Sequence, residues 1–205
     1  MEKFEFVNKA PLKNKFNQRK EILFLQVANF VEVKGHKYTI EAFSRFNKIY
    51  PASRLILAGD GPLRGAMIQL SKELDIENLV EFPGVVDEDT VLNMMEKADV
   101  FLYHSLQLSN GVKEGLPTAL MEAMARGLTV ISSKHSAIPE LIIDGVNGFL
   151  VSERDVTSYF NTMLKLKESN QEIRFNARET ILKNFSLSIT RDKLTKIYFQ
   201  MINER

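Results

Sequence analysis

Two glutamates, Glu114 and Glu122, stand eight positions apart around the start of an apolar helical segment. Pro117 lies between them and suits the first position of a helix, where its missing N–H costs nothing. Because a helix rises by about 1.5 Å per residue, the two carboxylates should lie on the order of 10 Å apart. The unpaired N–H groups of the first turn and the positive end of the helix dipole favour a phosphate between them. A ligand with a hydroxyl-rich group, a diphosphate and a ribose, such as a nucleotide sugar, would span this arrangement.

Acidic residues near a helix N-terminus are common, because they stabilise the helix dipole without binding anything. The pair alone therefore does not indicate a ligand site, and the elements around it must supply further evidence. Short apolar segments of the buried-strand type alternate with helical segments along the chain. The predicted strands are 22–28, 54–58, 80–82, 100–103, 128–132 and 148–151.

This alternation is typical of βαβ units and predicts an α/β fold. We expect a single Rossmann-like parallel sheet of about six strands with helices on both faces, spanning 21–155. Ligands bind beyond the carboxyl ends of the strands in such a sheet. The loop that carries Glu114 follows the strand 100–103 and should lie at that edge.

The two ends of the chain have different patterns. Residues 1–20 are lysine-rich and aperiodic, which predicts a basic N-terminal arm or linker in solvent. Contact of this arm with an anionic membrane surface is the alternative, since each basic residue contributes about 1 kcal/mol there. Residues 156–205 carry only a helical pattern, and we expect C-terminal helices that pack on the sheet domain.

Composition excludes several classes of protein. The chain has 205 residues, 44% hydrophobic and 26% charged, as in an ordinary globular protein. A net charge of +1 without a basic stripe gives no indication of nucleic-acid binding. Cysteine is absent, which excludes disulfides and thiolate zinc sites. No apolar run reaches the roughly 20 residues of a membrane span, and no signal peptide opens the chain. We expect a cytoplasmic protein, at most peripheral at the inner face of the membrane.

A set of short motifs occurs in a fixed order at characteristic spacing. They are Val27 to Gly35, Ala58 to Pro62, Phe82 to Gly84, Glu114 to Glu122, His135 to Glu140 and Asp144 to Val151. Together they resemble the C-terminal, donor-binding domain of the retaining GT-B glycosyltransferases of family 4 (group 1), which is one half of a GT-B fold. The segment 135–141 is most like that of bacterial exopolysaccharide transferases of the colanic-acid type.

The resemblance implies roles for the matching residues. Glu114 would bind hydroxyls of the donor sugar, and Glu122 would bind the ribose hydroxyls. Lys34 would pair with the diphosphate and offset charge on the leaving nucleotide. Glu114 and Lys34 are thus the predicted catalytic residues. The other predicted substrate-binding residues are Gly115, Leu116, Thr118, Gly59, Phe82, Gly84, Val85, Asn29 and His135.

One departure from the family pattern concerns charge. Family members often have Gly-Arg where this chain has Ala28-Asn29, and Asn cannot supply a cation. Either Lys34 acts alone or another basic group, such as Lys113, contributes. His36 is interpreted as a packing or capping residue.

No metal is expected. The sequence has no Asp-x-Asp signature and no cluster of histidines and carboxylates. The resemblance likewise implies no cofactor, with a nucleotide diphosphate sugar as the donor substrate.

The resemblance implies transfer of a hexosyl unit to a glycan or lipid-linked acceptor, with retention, in cell-surface polysaccharide synthesis. Family members bind the acceptor on a second, N-terminal domain, for which this chain has no room, so we expect a fragment or half-protein that is inactive alone. A non-catalytic nucleotide-sugar-binding partner subunit is an alternative that suits the length. A nucleotide-sugar epimerase or hydrolase is another, but it would need further acid/base groups around the sugar. A dehydrogenase is disfavoured, because no Gly-x-Gly-x-x-Gly follows the first strand.

Overall fold

The computed structural model describes residues 5–7, 9 and 11–203. Its strands are β1 (Ile22–Val27), β2 (Ser53–Ala58), β3 (Val80–Gly84), β4 (Val100–Tyr103), β5 (Thr129–Ser133) and β6 (Phe149–Val151). Its α-helices are α1 (Leu12–Asn17), α2 (His36–Ile49), α3 (Arg64–Glu73), α4 (Glu88–Lys97), α5 (Thr118–Ala125), α6 (Ile138–Leu141), α7 (Val156–Lys165), α8 (Glu172–Asn184) and α9 (Leu187–Asn203). Short 3-10 helices cover Glu32–Lys34 and Leu166–Glu168.

All strand pairs of the sheet are parallel, in the order β3-β2-β1-β4-β5-β6. Strands β4 and β5 are buried along their whole length, because helices cover both faces of the sheet. The strand order reverses between β1 and β4, which is the place where the ligand crevice of such a sheet forms. The predicted six-stranded Rossmann-like sheet is confirmed.

The core forms one apolar layer on each face of the sheet. On one face, Phe24 of β1 packs edge-on against Phe43 and Phe46 of α2, and Tyr159 of α7 lies in the same layer. On the other face, α5 and α8 pack against each other over β4 and β5. Ile49, expected on the buried face of α2, is 65% exposed because the helix ends at that residue.

Part of the N-terminal segment packs on the sheet domain, although Lys13, Asn14 and residues 17–20 are exposed. Leu12 of α1 is buried, and Lys15 Nζ lies 2.7 Å from a carboxylate oxygen of Asp99, whose side chain is 3% exposed. Lys9 donates to the carbonyl of Ala98, and burial lowers the pKa of its ammonium group to about 8. Lys9 and Lys15 therefore contact groups just ahead of β4, at the amino edge of the sheet. Residues 1–4, 8 and 10 lie outside the described residues.

The C-terminal helices fall into two kinds. Helix α7 packs on α2, and α8 packs on α5. Helix α9 contacts α8 but leaves its large apolar side chains exposed. These side chains are Leu187, Leu194, Ile197, Tyr198, Phe199, Met201 and Ile202. None of the helices in the described ranges has the length and apolarity that crossing a bilayer requires.

Candidate functional site

The loops after β1 and β4 meet at the carboxyl edge of the sheet. The N–H of Leu106 donates to the carbonyl of Val33 at 3.1 Å, which joins the two loops. Gly35 makes a close approach possible, because a Cβ at this position would lie 2.3 Å from the carbonyl oxygen of His104. Gly35 also has a φ of +56°, a conformation that glycine adopts readily. This contact holds the 3-10 helix against the start of the long loop 104–117.

The two residues predicted to be catalytic are in contact in this crevice. Lys34, the last residue of the 3-10 helix, forms an ion pair with the carboxylate of Glu114. Their side chains are 18% and 17% exposed. The carbonyl of Lys34 accepts a hydrogen bond of 2.9 Å from Gln26 Nε2 within β1, so the sheet itself fixes the lysine backbone. Residues 80 positions apart in the chain thus form one charged pair.

Tyr103, the last residue of β4, contacts both members of this ion pair. Its hydroxyl accepts from Lys34 Nζ at 2.8 Å and donates to Glu114 Oε2 at 3.2 Å. Burial raises the pKa of the Tyr103 hydroxyl, and the charge of Glu114 raises it further, so the group stays protonated at neutral pH. Sequence reasoning missed this residue, although its place at the carboxyl end of a predicted strand was a usable signal.

His135 forms a hydrogen bond with the backbone of the loop that carries Glu114. This ring is 2% exposed, and its Nε2 accepts from the backbone N–H of Glu114 at 2.9 Å. Nδ1 lies 2.7 Å from Glu153 Oε1 and donates to it. His135, predicted to bind substrate, thus has both ring nitrogens engaged within the protein. Glu153 was not predicted; it follows β6 at the same edge.

Glu122 is the fifth residue of α5, and its surroundings differ from those of Glu114. Its side chain is half-buried, and burial together with the charge of Glu88 raises the pKa of its carboxyl group. Helix α5 begins at Thr118, and Pro117 precedes it as the N-cap with an extended ψ of 121°. Pro117 was predicted to be the first residue of the helix, but it is the N-cap, one position earlier. Its carbonyl accepts hydrogen bonds from the N–H groups of Leu120 and Met121.

Most of the remaining predicted substrate-binding residues lie on the same edge. In the loop ahead of α5 and in its first turn, Gly115 and Thr118 are exposed and Leu116 is partly exposed. Gly59 follows β2, and its N–H donates to the carbonyl of Gly84 at 2.9 Å. A Cβ at Gly59 would lie 2.1 Å from the carbonyl oxygen of Ala28, so the residue allows the loops after β1 and β2 to touch.

The residues predicted to lie near the base and the diphosphate are on three loops or strand ends at this edge. Phe82 lies within β3, and Val85, just beyond that strand, is 79% exposed. Asn29 and Lys113 are exposed, on the loops after β1 and β4 respectively. Lys34 is the cation that contacts Glu114.

Two further histidines are buried and neutral. His36 stacks on Phe30 with ring centroids 4.1 Å apart, and burial, assisted by the charge of Lys34, lowers its pKa to about 3. This agrees with the packing interpretation. His104 lies between Tyr38 and Tyr159, and burial lowers its pKa to about 4.

Metal ligands are not grouped in the part of the chain that the structure describes. Within it, no three histidine or carboxylate side chains come close enough together to hold a metal ion. Metal-independent chemistry stays a prediction.

Comparison with known proteins identifies the family. The sequence profile of the family "Glycosyl transferases group 1" matches residues 8–183. The chain belongs to this family. This membership does not favour the epimerase and hydrolase alternatives.

Relatives and solved structures agree with this assignment. The chain is 34% identical over 166 residues to WcaL of Salmonella typhimurium, a glycosyltransferase assigned to colanic acid biosynthesis. That alignment covers 79% of this chain and 41% of WcaL, so the chain spans less than half of the relative. The predicted resemblance to transferases of the colanic-acid type is confirmed.

Two solved structures show the same fold. The C-terminal domain of a group 1 glycosyl transferase, LpcC, from Francisella tularensis superposes with a TM-score of 0.72 at 20% identity, covering 90% of this chain and 96% of that domain. HepE from Anabaena, in complex with UDP and glucose, superposes with a TM-score of 0.75 at 22% identity, covering 94% of this chain and 53% of HepE. The described fold is the Rossmann-like domain of a GT-B glycosyltransferase.

Proposed function

We propose that this chain is the donor-binding domain of a retaining, family 4 glycosyltransferase. It would transfer a hexosyl unit from a nucleotide diphosphate sugar to a glycan or lipid-linked acceptor in cell-surface polysaccharide synthesis. The observation that carries the proposal is the contact of Lys34 with Glu114 in the crevice between β1 and β4, ahead of the N-terminus of α5. The similarity to HepE, whose structure contains UDP, supports a nucleotide ligand, and the similarity to a C-terminal domain supports the donor-binding half.

In this proposal the crevice binds the diphosphate through charge. The N–H groups of Thr118 and Ala119 at the start of α5 have no acceptor within the helix, and the helix dipole favours negative charge there. The Lys34 ammonium would exchange the Glu114 carboxylate for the diphosphate, which carries more negative charge. The carboxylate of Glu114 is then released to accept hydrogen bonds from sugar hydroxyls, while Glu122 accepts from the ribose.

The chemical step needs a cation at the leaving group. The bond between the anomeric carbon and the diphosphate oxygen breaks, and the acceptor oxygen bonds to the same face of that carbon. The acceptor proton passes to the departing phosphate oxygen, and Lys34 stabilises the remaining negative charge. With Asn29 in place of the family arginine, Lys34 would supply the positive charge, either alone or together with another basic group such as Lys113.

The acceptor would bind to a second domain, because this chain spans about half of HepE and less than half of WcaL. We expect the 205 residues alone to bind nucleotide and to transfer no sugar. A lipid-linked acceptor would bring the enzyme to the inner face of the membrane by peripheral contact. Detectable transfer by this chain alone would contradict the assignment of the acceptor to another domain.

A thermal-shift and calorimetric panel tests the assignment of roles. UDP, GDP, UDP-glucose and UDP-N-acetylglucosamine are compared on the wild-type chain and on the Glu122→Gln and Glu114→Gln variants. Loss of a hydrogen bond to a charged group should weaken binding about tenfold or more. Glu122→Gln should weaken every nucleotide that binds, whereas Glu114→Gln should weaken the sugar nucleotides and spare the free diphosphates.

The matched control is Glu168→Gln, because the Glu168 side chain is 75% exposed and lies in the 3-10 helix after α7. It should leave all affinities unchanged. Equal behaviour of the two site variants would contradict the roles, and the absence of binding by any nucleotide would contradict donor binding. Repeating the titrations with EDTA tests metal independence, which predicts unchanged affinities.

A further inference from the structure

We propose that His135 and Glu153 act as a positioning pair that fixes the backbone of Glu114 and thereby sets the affinity for the sugar part of the donor. The proposal rests on the proposed function for its ligand, but its structural part concerns this chain alone. Neither residue needs to touch the ligand. Their effect passes through the loop that carries the carboxylate.

A continuous chain of hydrogen bonds closes the loop between residues 107 and 114. The N–H of Gln107 donates to Glu153 Oε2 at 2.9 Å, and the other carboxylate oxygen of Glu153 accepts from His135 Nδ1 at 2.7 Å. His135 Nε2 then accepts from the N–H of Glu114 at 2.9 Å. One carboxylate and one imidazole therefore join both ends of this segment.

The segment depends on these bonds because it has little structure of its own. Residues 104–117 form neither helix nor strand, and the backbone hydrogen bonds among them belong to one turn. In it, the N–H of Leu108 donates to the carbonyl of Val112 at 2.9 Å, and the N–H of Gly111 donates to the carbonyl of Leu108 at 3.0 Å. His135 and Glu153, by contrast, each lie two residues beyond the end of a strand, and these strands, β5 and β6, are paired in the sheet. The pair thus transfers the rigidity of the sheet to an irregular loop.

The hydrogen bonds also determine the protonation of the ring. A backbone N–H is always a donor, so Nε2 must carry the lone pair and Nδ1 must carry the proton. Glu153 selects this tautomer because an ionised carboxylate can only accept. Burial alone would raise the pKa of Glu153, but hydrogen bonds from Gln107 and His135 and the charge of Arg154 hold that pKa below its usual value.

The consequence for the site is geometric. The ion pair of Glu114 with Lys34 requires the glutamate backbone to stay in place, because the lysine backbone is fixed by Gln26 in the sheet. If Glu114 loses its bond to His135, the carboxylate can move away from the crevice while Lys34 cannot follow. The loss would be felt by the sugar, which Glu114 binds, more than by the diphosphate.

Three variants test the pair. His135→Ala removes the acceptor for the Glu114 N–H and the donor to Glu153. His135→Gln keeps a carbonyl oxygen near the position of Nε2 and should restore part of the effect. Glu153→Gln can present an amide N–H to Nδ1, which favours the wrong tautomer and places a ring N–H against the Glu114 N–H. Glu168→Gln is the control, since it makes the same chemical change at an exposed glutamate.

Hydrogen exchange and NMR measure the structural part without any ligand. In the wild-type chain, ring 15N shifts should show the Nδ1–H tautomer at His135. Amide exchange across 107–117 should accelerate by about tenfold or more in His135→Ala and Glu153→Gln, and less in His135→Gln. Unchanged exchange in both, or the Nε2–H tautomer in the wild-type chain, would overturn the positioning role. Should His135→Ala fail to fold, Glu153→Gln and the wild-type tautomer still decide the question.

Calorimetry with UDP and UDP-glucose as probes measures the effect on binding. UDP affinity should stay within about twofold in Glu153→Gln, while the ratio of UDP-glucose to UDP affinity should fall by about fivefold or more. An equal loss for both probes would show general damage to the site and would overturn the sugar-specific role. If the loop responds as expected but neither probe binds the wild-type chain, the proposed function fails and the structural role of the pair stands.

Discussion

Glu114 lies in the loop ahead of α5 and Glu122 lies within that helix. The two carboxylates have opposite electrostatic surroundings. Glu114 has a lysine and a tyrosine hydroxyl on its carboxylate and an imidazole on its backbone. Glu122 is half-buried near a like charge, Glu88, and within the described residues its carboxylate accepts no hydrogen bond. Lys34 compensates the charge of Glu114, whereas Glu88 opposes the charge of Glu122. A partly buried carboxylate with a raised pKa is a candidate for a binding role.

The largest expected effect concerns the charge that compensates Glu114. Lys34→Met leaves a carboxylate that is only 17% exposed without its cation, which should lower the free energy of unfolding by about 1–3 kcal/mol. Urea unfolding at pH 7 measures the change. Lys37→Met is the control, because the Lys37 side chain is 61% exposed and its pairing with Glu41 is a surface one. The control should change the free energy by less than about 0.5 kcal/mol. Equal effects would mean that the Glu114 ion pair is no different from a surface pair.

A smaller effect is expected at Tyr103. Tyr103→Phe removes one hydroxyl that bridges Lys34 and Glu114 but keeps the ring, so it should cost about 1 kcal/mol. The same urea experiment measures it. In combination with Lys34→Met the two losses should not add, because both act on one cluster. Full additivity would show that the hydroxyl is independent of the ion pair.

The smallest effect is a gain in stability at Glu122. Its raised pKa means that the folded protein holds the Glu122 proton more tightly than the unfolded chain does. Stability therefore falls as the pH rises through the carboxylate range, and Glu122→Gln should raise the free energy of unfolding at pH 7 by up to about 1 kcal/mol. At pH 4, where the unfolded carboxyl is also largely protonated, most of the gain should disappear. Exposed Glu168→Gln should show neither the gain nor its dependence on pH. A loss of stability in Glu122→Gln at pH 7 would reverse the comparison between the two carboxylates.

The strands of the fold could be predicted well because their signals are local. The strand predicted at 100–103 is β4 in the structure, and the one predicted at 148–151 is β6, one residue shorter. The packing of the N-terminal segment could not be predicted, because a run of lysines has the composition of a solvated arm. Only the fold shows that Lys15 meets Asp99, 84 positions away.

The candidate site divides in the same way. The motif around Glu114 indicated the correct edge of the sheet, and the resemblance supplied Lys34. Tyr103 and Glu153 were not predicted as site residues, because no motif contains them. Their hydrogen-bond partners Glu114 and His135 lie 11 and 18 positions away along the chain. Tyr103 is the last residue of β4, and Glu153 lies two residues after β6. Their position at the carboxyl end of a predicted strand is the local signal that could have indicated both.

The packing of the N-terminal segment affects where such a domain can be cut. A truncation that begins at β1 would remove Lys15, leave the carboxylate of Asp99 without its cation, and expose the surface that Leu12 covers. It would also strip the guanidinium of Arg174 of the Lys9 carbonyl, to which it donates at 3.0 Å. Expression boundaries drawn at the first strand should therefore yield a less stable product than boundaries that retain α1 and the residues before it.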